Sequence, residues 1–233
     1  MSAMVVAIDG PSGSGKSTVA RGLAREFSLA YLDTGSMYRA LAVAAIRQGL
    51  DLDDQEAVAS LLSRLELTME LDPFDPRVYL AGDDVTALLH TSDVSRVVSK
   101  VATNLDVRAQ MKERQRALIR RAAATGAGIV AEGRDITTVV APDATVRILL
   151  TASEEARLAR RALQRYGTDD ADAIAQTHDE VVSRDRQDST VVQFMEASDG
   201  VVQIDSSNLT LDQTLTAAGD LLVQAGATRV ERR

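Results

Sequence analysis

The sequence predicts an α/β fold in three layers, a parallel five-stranded sheet covered by helices on both faces, and three observations carry that prediction. Short apolar, β-branched runs recur at residues 4–8, 30–32, 128–131, 146–150 and 201–204. Helical patterning with apolar residues at spacings of three and four separates them. Strands that alternate with helices pair in parallel through crossovers, which cover both faces of the sheet. The third observation is a glycine-rich loop that leads straight from the first run into the first helix.

The elements follow in order. Residues 4–8 end at Asp9 and Gly10 and read as a buried strand. In residues 16–27, Val19, Ala20, Leu23, Ala24 and Phe27 form one helical face. A helix over 34–48 closes at Gly49, and another spans 54–64. From 65 to 89 the period changes to an alternation broken by Asp72-Pro-Phe-Asp-Pro76, which predicts a small antiparallel meander. Helical patterning returns over 94–124 as two helices meeting near 104–106. A last helix over 211–225 precedes a charged tail expected to fray.

At 233 residues, 45% hydrophobic and 26% charged, the chain suits one α/β domain with an insertion, or two small domains sharing an interface. With a net charge of -8, no tryptophan and 3% aromatic residues, it lacks the basic stripe and stacking surface of a nucleic-acid binder. The absence of cysteine excludes disulfides and thiolate chemistry, and the two histidines, His90 and His178, lie far apart in sequence. There is no basic leader with an apolar core, and no apolar run approaches the ~20 residues that span a bilayer. A cytoplasmic protein without membrane partners is therefore expected.

Gly10, Pro11, Ser12, Gly13, Ser14, Gly15, Lys16, Ser17 and Thr18 match the phosphate-binding P-loop, and strand and helix flank it as that motif requires. Gly13 and Gly15 let backbone amides curl around phosphate oxygens, and the helix start adds its positive end. Lys16 reaches the β and γ phosphates of ATP, the Ser17 hydroxyl is placed to ligate Mg²⁺, and Thr18 adds a hydroxyl to the α-phosphate. The motif alone serves motors, switches and kinases alike.

Lysine occurs three times and arginine 23 times. Several arginines fall where a phosphoryl-transfer site needs planar, permanently charged forks: Arg39, Arg134 beyond a strand end, and Arg157, Arg160 and Arg161 on one helix. Their spacing puts Arg157 and Arg161 one turn apart, facing one cleft.

The P-loop, Leu32-Asp-Thr-Gly-Ser-Met-Tyr-Arg39, Glu132-Gly-Arg-Asp135 and Arg184-Asp-Arg-Gln-Asp-Ser189 occur in order over nearly the whole chain. Together they resemble the bacterial cytidylate kinase family, nucleoside monophosphate kinases with a P-loop NTPase fold. The resemblance implies a core at approximately 1–35, 126–152 and 200–226, and a nucleoside-monophosphate-binding region at 36–125 with a small β insertion at 65–89. It also implies a short lid at 153–190 and a monomer. The implied reaction moves the γ-phosphoryl of ATP, with Mg²⁺, onto CMP or dCMP. Asp33, Thr34, Tyr38 and Arg39 would belong to the substrate site, and Ser99, Arg108 and Asp135 would face cytosine. Arg184 and Asp188 would lie near the ribose and Arg39 and Arg134 near the acceptor phosphate, with Arg157, Arg160 and Arg161 in the lid.

The chemistry of the base agrees: a carboxylate accepts from the cytosine amino group and an arginine donates to the ring acceptors, as in the reading of DNA. Uracil reverses two of those groups. A structural Arg108–Asp135 ion pair stays open at this point. So do a P-loop kinase acting on UMP, AMP or shikimate, and a nucleotide-binding regulatory protein without turnover.

Two positions depart from the family pattern. Val191 stands where an arginine follows the Arg-Asp-x-x-Asp-Ser motif, and Gln193-Phe-Met195 replaces Ser-Pro-Leu. Weaker acceptor binding is expected unless another arginine compensates, Arg186 being the nearest in sequence. Thr137 stands where glycine is usual and is expected to reshape the pocket wall.

Overall fold

In a computed structural model, which describes residues 3–230 except the side chains of Asp179 and Glu180, all five core strands are present in one sheet. The chain runs β1 (Val5–Asp9), α1 (Lys16–Glu26), β2 (Ala30–Asp33), α2 (Thr34–Arg47) and α3 (Gln55–Arg64). It continues through β3 (Leu67–Met69), β4 (Val78–Leu80), β5 (Asp83–Asp84), α4 (Ser92–Ala102), α5 (Leu105–Ala124) and β6 (Ile129–Gly133). It ends with β7 (Val146–Thr151), α6 (Glu154–Tyr166), α7 (Ala171–His178), α8 (Arg184–Asp188), β8 (Val202–Asp205) and α9 (Leu211–Gln224). The sheet order β2-β6-β1-β7-β8 is parallel at every pairing, with Val6 against Val130 on one side and Val146 on the other.

Two apolar clusters flank the sheet, because β1 and β6 are buried on both faces. On one face Ile8, Val19, Leu23, Ile148 and Leu222 join α1 and α9 to the strands. On the other, Leu32, Met37, Leu41, Leu62, Val98, Met111 and Ile129 unite α2 through α5 with β2 and β6. The expected meander forms as a second sheet, β3-β4-β5, and its Val78 and Leu80 belong to that same second cluster. Helix starts follow the sequence: the side chains of Asp33, Asp54 and Asn104 cap α2, α3 and α5 by accepting N–H groups of the first turn. Among the described residues no helix is long and apolar enough to cross a membrane.

The tail differs from expectation as far as Val230. Its N–H donates to the Glu26 carbonyl at 2.8 Å, and Arg229 pairs with Glu26 at 3.0 Å and Asp220 at 2.8 Å. Backbone pairing plus a two-carboxylate anchor holds this segment on α1 and α9. Residues 231–233 lie outside the described residues.

Asp9, at the end of β1, is 2% exposed. It accepts the N–H groups of Ile136 at 2.9 Å and Thr137 at 2.8 Å and the Thr137 hydroxyl at 2.6 Å, fixing a π-helical turn over Ile136–Val140. Thr137 therefore does not shape the cleft wall; its hydroxyl supplies a third donor to a buried carboxylate. Burial raises the Asp9 pKa from 3.8 to about 6, against the pull of these three hydrogen bonds. Because the folded value lies above the unfolded one, this group's stability contribution is complete below 3.8 and is lost as pH rises through about 6. Thr137→Val removes a donor from the ionised form. Urea denaturation is expected to show a loss of about 1–3 kcal/mol at pH 8 and a smaller one at pH 5, where the carboxyl is protonated. An equal loss at both pH values would mean the hydroxyl acts by packing alone.

Candidate functional site

A cleft of about 1000 Å³ opens at the carboxyl ends of β1, β2 and β6, where open parallel sheets bind ligands. Ser12 through Thr18 line one part of it. Gly10 and Pro11 are buried behind, and a Cβ on Gly10 would sit 2.2 Å from the Leu150 carbonyl. Gly13 has φ 77°, and a Cβ there would lie 2.7 Å from the Arg157 carbonyl, so only glycine lets the first turn of α6 pack on the loop. The Lys16 amine donates to the Pro11 carbonyl at 3.2 Å, curling across the loop. Burial lowers its pKa, opposed by the Glu132 carboxylate.

Glu132 is a functional candidate that sequence reasoning did not single out. It is 2% exposed, pairs in register with Asp33 on the neighbouring strand, and accepts the Tyr31 hydroxyl at 3.1 Å. Burial and then Asp33 raise its pKa, while Lys16 and the adjacent Ser17 and Tyr31 hydroxyls lower it. The available signal was its position at the end of a strand beside the P-loop strand. Among the described residues no group of three or more His, Asp or Glu side chains could hold a metal by itself. A single hydroxyl, Ser17, beside an acidic residue fits a cation carried chiefly by phosphate oxygens.

The other part of the cleft is lined by Asp33, Thr34, Tyr38, Arg39, Arg108, Arg134, Asp135, Arg184 and Asp188, so nearly all the predicted substrate residues converge. Asp33 caps α2 through Ser36, and Thr34 donates to the Glu132 carbonyl at 2.8 Å. Arg39 is 5% exposed and donates to the Leu89 carbonyl at 2.9 Å and Ser95 Oγ at 3.2 Å, with burial lowering its pKa to about 9. Arg108 pairs with Asp135, with side chains 16% and 14% exposed, and Arg108 also holds the Ala102 carbonyl at 3.1 Å. Burial raises the Asp135 pKa and Arg108 opposes it. Tyr38 is buried, which raises its hydroxyl pKa. Ser99 is not on the surface of the cleft: it is 6% exposed on α4, between the lining residues Val98 and Ala102.

The three helix arginines separate. Arg157 is 5% exposed, and its guanidinium pairs with Asp185 and donates to the Ser12 carbonyl at 2.8 Å. It lies beneath the P-loop and not in the cleft, because α6 turns its Arg157–Leu158–Ala162 stripe toward the core. Arg160 lines the cleft but is engaged by Ser14 O at 3.3 Å and by Ser206 Oγ at 2.9 Å and O at 2.5 Å. Arg161 lines the cleft and donates to Gln164 at 2.9 Å.

Asp185 is the second missed residue. It accepts the Ser12 N–H at 3.1 Å and pairs with both Arg157 and Arg134, the latter at 2.7 Å. Arg134 also pairs with Asp188 and lies 4.6 Å from the centroid of the Phe194 ring, which is 1% exposed. The Gln193-Phe-Met195 departure thus supplies an aromatic floor for Arg134. Val191 has no replacement in Arg186, which is exposed and does not line the cleft.

The cytidylate kinase family model matches residues 6–222. A cytidylate kinase of Cutibacterium acnes is 44% identical over 223 residues, covering 95% of this chain and 96% of that one. One from Mycobacterium leprae is 40% identical over 227 residues, covering 96% and 97%. One from Pelotomaculum thermopropionicum is 45% identical over 190 residues, covering 79% and 80%.

The separation of the arginines is testable by thermal and urea unfolding. Arg157→Ala leaves a buried carboxylate short of a partner and is expected to lose about 3 kcal/mol of stability. Arg161→Ala is expected to lose less than about 1 kcal/mol while depressing turnover. Equal stability losses would return Arg157 and Arg161 to a common role.

Proposed function

The chain belongs to the cytidylate kinase family, and from that premise we propose that it transfers the γ-phosphoryl of ATP to CMP or dCMP, giving CDP or dCDP and ADP. The observation that carries the acceptor is the Arg108–Asp135 pair at the wall of the cleft that also holds the P-loop. Asp135 accepts from the cytosine amino group, and Arg108, preset by Ala102, donates to the ring acceptors. A uracil ring would leave these groups mismatched in a largely buried setting, where unpaired polar groups are costly.

The reaction needs no general base. A phosphate monoester has a second pKa of about 6, so the attacking oxygen of CMP is already anionic at neutral pH. That oxygen bonds to the γ-phosphorus as the bond to the β-phosphate bridging oxygen breaks, and the electron pair leaves with ADP. The barrier lies in bringing two polyanions together in line. Lys16 and the P-loop amides hold the donor phosphates. Arg39 and Arg134, each already pinned by protein acceptors, hold the acceptor phosphate. Arg160 and Arg161 approach from the lid side. Mg²⁺, held by Ser17 and the phosphates, would neutralise charge on the transferred group. Preset cations stabilise that charge without reorganising.

ADP release measured with CMP, dCMP, UMP, AMP and shikimate tests the proposal. CMP or dCMP is expected to exceed UMP in kcat/KM by at least about 100-fold, the range reached when buried polar groups are left unpaired. Equal rates with UMP would overturn the role of Arg108 and Asp135. Asp135→Ala is expected to raise the CMP KM about 10- to 100-fold, from the loss of one charge-assisted hydrogen bond, and to leave the ATP KM within about two-fold.

A further inference from the structure

Ser12, in the phosphate loop, is held at both of its peptide groups by side chains from outside the loop. Its N–H donates to Asp185 Oδ1 at 3.1 Å, and its carbonyl accepts from Arg157 Nη1 at 2.8 Å. The same Arg157 nitrogen pairs with Asp185 Oδ2, so α6, α8 and the loop close a ring of hydrogen bonds around one residue. Asp185 Oδ1 also has a second donor, Arg134 Nη2 at 2.7 Å, and the Arg134 guanidinium lines the cleft. One carboxylate oxygen is therefore shared between a loop amide and a cleft arginine. Donors on one oxygen share its charge, and the charged donor at the shorter distance takes the larger part. Asp185 is 6% exposed and absent from the cleft lining, so bulk water does not dilute this competition.

We propose that Asp185 is a positioning residue that makes the two substrates bind cooperatively. A phosphate on Arg134 engages the guanidinium and weakens its claim on Oδ1, and the Ser12 N–H bond to that oxygen shortens. The start of the loop is then fixed before the donor arrives, and less ordering remains for ATP to impose. Coupling between two sites is reciprocal, so a filled loop tightens acceptor binding by the same factor. This role rests on the reading that places the acceptor phosphate at Arg134, and Asp185 acts only through its partners.

The Ser12 amide of the native protein reports the first half of the coupling. In nitrogen–proton NMR spectra, saturating CMP with the loop empty is expected to move the Ser12 amide proton downfield and to slow its exchange with solvent. Cytidine, which lacks the phosphate, should leave it unmoved. A Ser12 amide indifferent to saturating CMP, or moved equally by cytidine, overturns the proposal. If UMP or AMP binds and moves Ser12 while CMP does not bind, the role of Asp185 stands and the cytosine reading falls.

Calorimetry reports the second half. A non-hydrolysable ATP analogue with a β,γ-imido bridge is expected to lower the CMP Kd of the native protein about 10-fold, and that of Asp185→Asn by less than about two-fold. The amide variant keeps an oxygen for Ser12 but loses the charge that Arg134 and Ser12 share. A purely structural Asp185 would weaken both ligands and leave their coupling factor at the native value, which overturns the proposal, as does a native factor of 1. If Asp185→Asn does not fold, the Ser12 amide of the native protein decides alone.

Discussion

Asp185 lies between two guanidinium groups and a backbone N–H, 6% exposed, and both parts of the cleft are joined through what it accepts. On one side Ser12 and Arg157 belong to the phosphate loop and to the helix packed on it. On the other, Arg134 lines the part of the cleft opposite the loop and pairs with Asp188. A lone buried carboxylate would protonate or draw in water, and lone buried guanidinium groups would be equally costly to desolvate. Each makes the other tolerable, so the loop, α6, α8 and the end of β6 have to arrive together.

That arrangement explains how an acidic protein concentrates positive charge at one place. The net charge is -8, yet Arg39, Arg134, Arg160, Arg161 and Arg184 line a single cleft. Most are held by neutral acceptors or shared carboxylates: Leu89 O and Ser95 for Arg39, Ser14 O and Ser206 for Arg160, Asp185 and Asp188 for Arg134. Cations fixed in this way offer charge to phosphate without first giving up a hydration shell or rotamer freedom. Phe194 adds a rigid face under Arg134 where solvent would otherwise loosen it.

The carboxylates divide by partner in the same manner. Asp9 accepts three hydrogen bonds from the turn it anchors, and burial outweighs them, so its pKa rises to about 6. Asp135, one residue before that turn, faces Arg108 and stays on the cleft wall. The internal clamp at Asp9 therefore positions the cleft-wall carboxylate of Asp135, and the Thr137 hydroxyl belongs to the clamp.

Strand and helix positions were legible in the sequence because apolar periodicity is local: the strand at 4–8, the helices over 34–48 and 54–64 and the meander over 65–89 follow from patterns within short windows. The P-loop and the ordered signatures carried the family in the same local way. What tertiary structure alone decided concerns direction and partnership across the chain. Spacing put Arg157 and Arg161 on one helical face, but packing of α6 on Gly13 sent Arg157 under the loop, 28 residues from its carboxylate partner. Glu132 and Asp185 look like ordinary members of charged motifs until strand register and helix docking bury them beside Lys16 and Ser12. The tail, read as frayed from its composition, is held by Glu26 and Asp220, partners that no local pattern specifies. The physical reason is the same in each case: a charged side chain's role is set by which distant groups share its low-dielectric surroundings, and sequence spacing does not contain that distance.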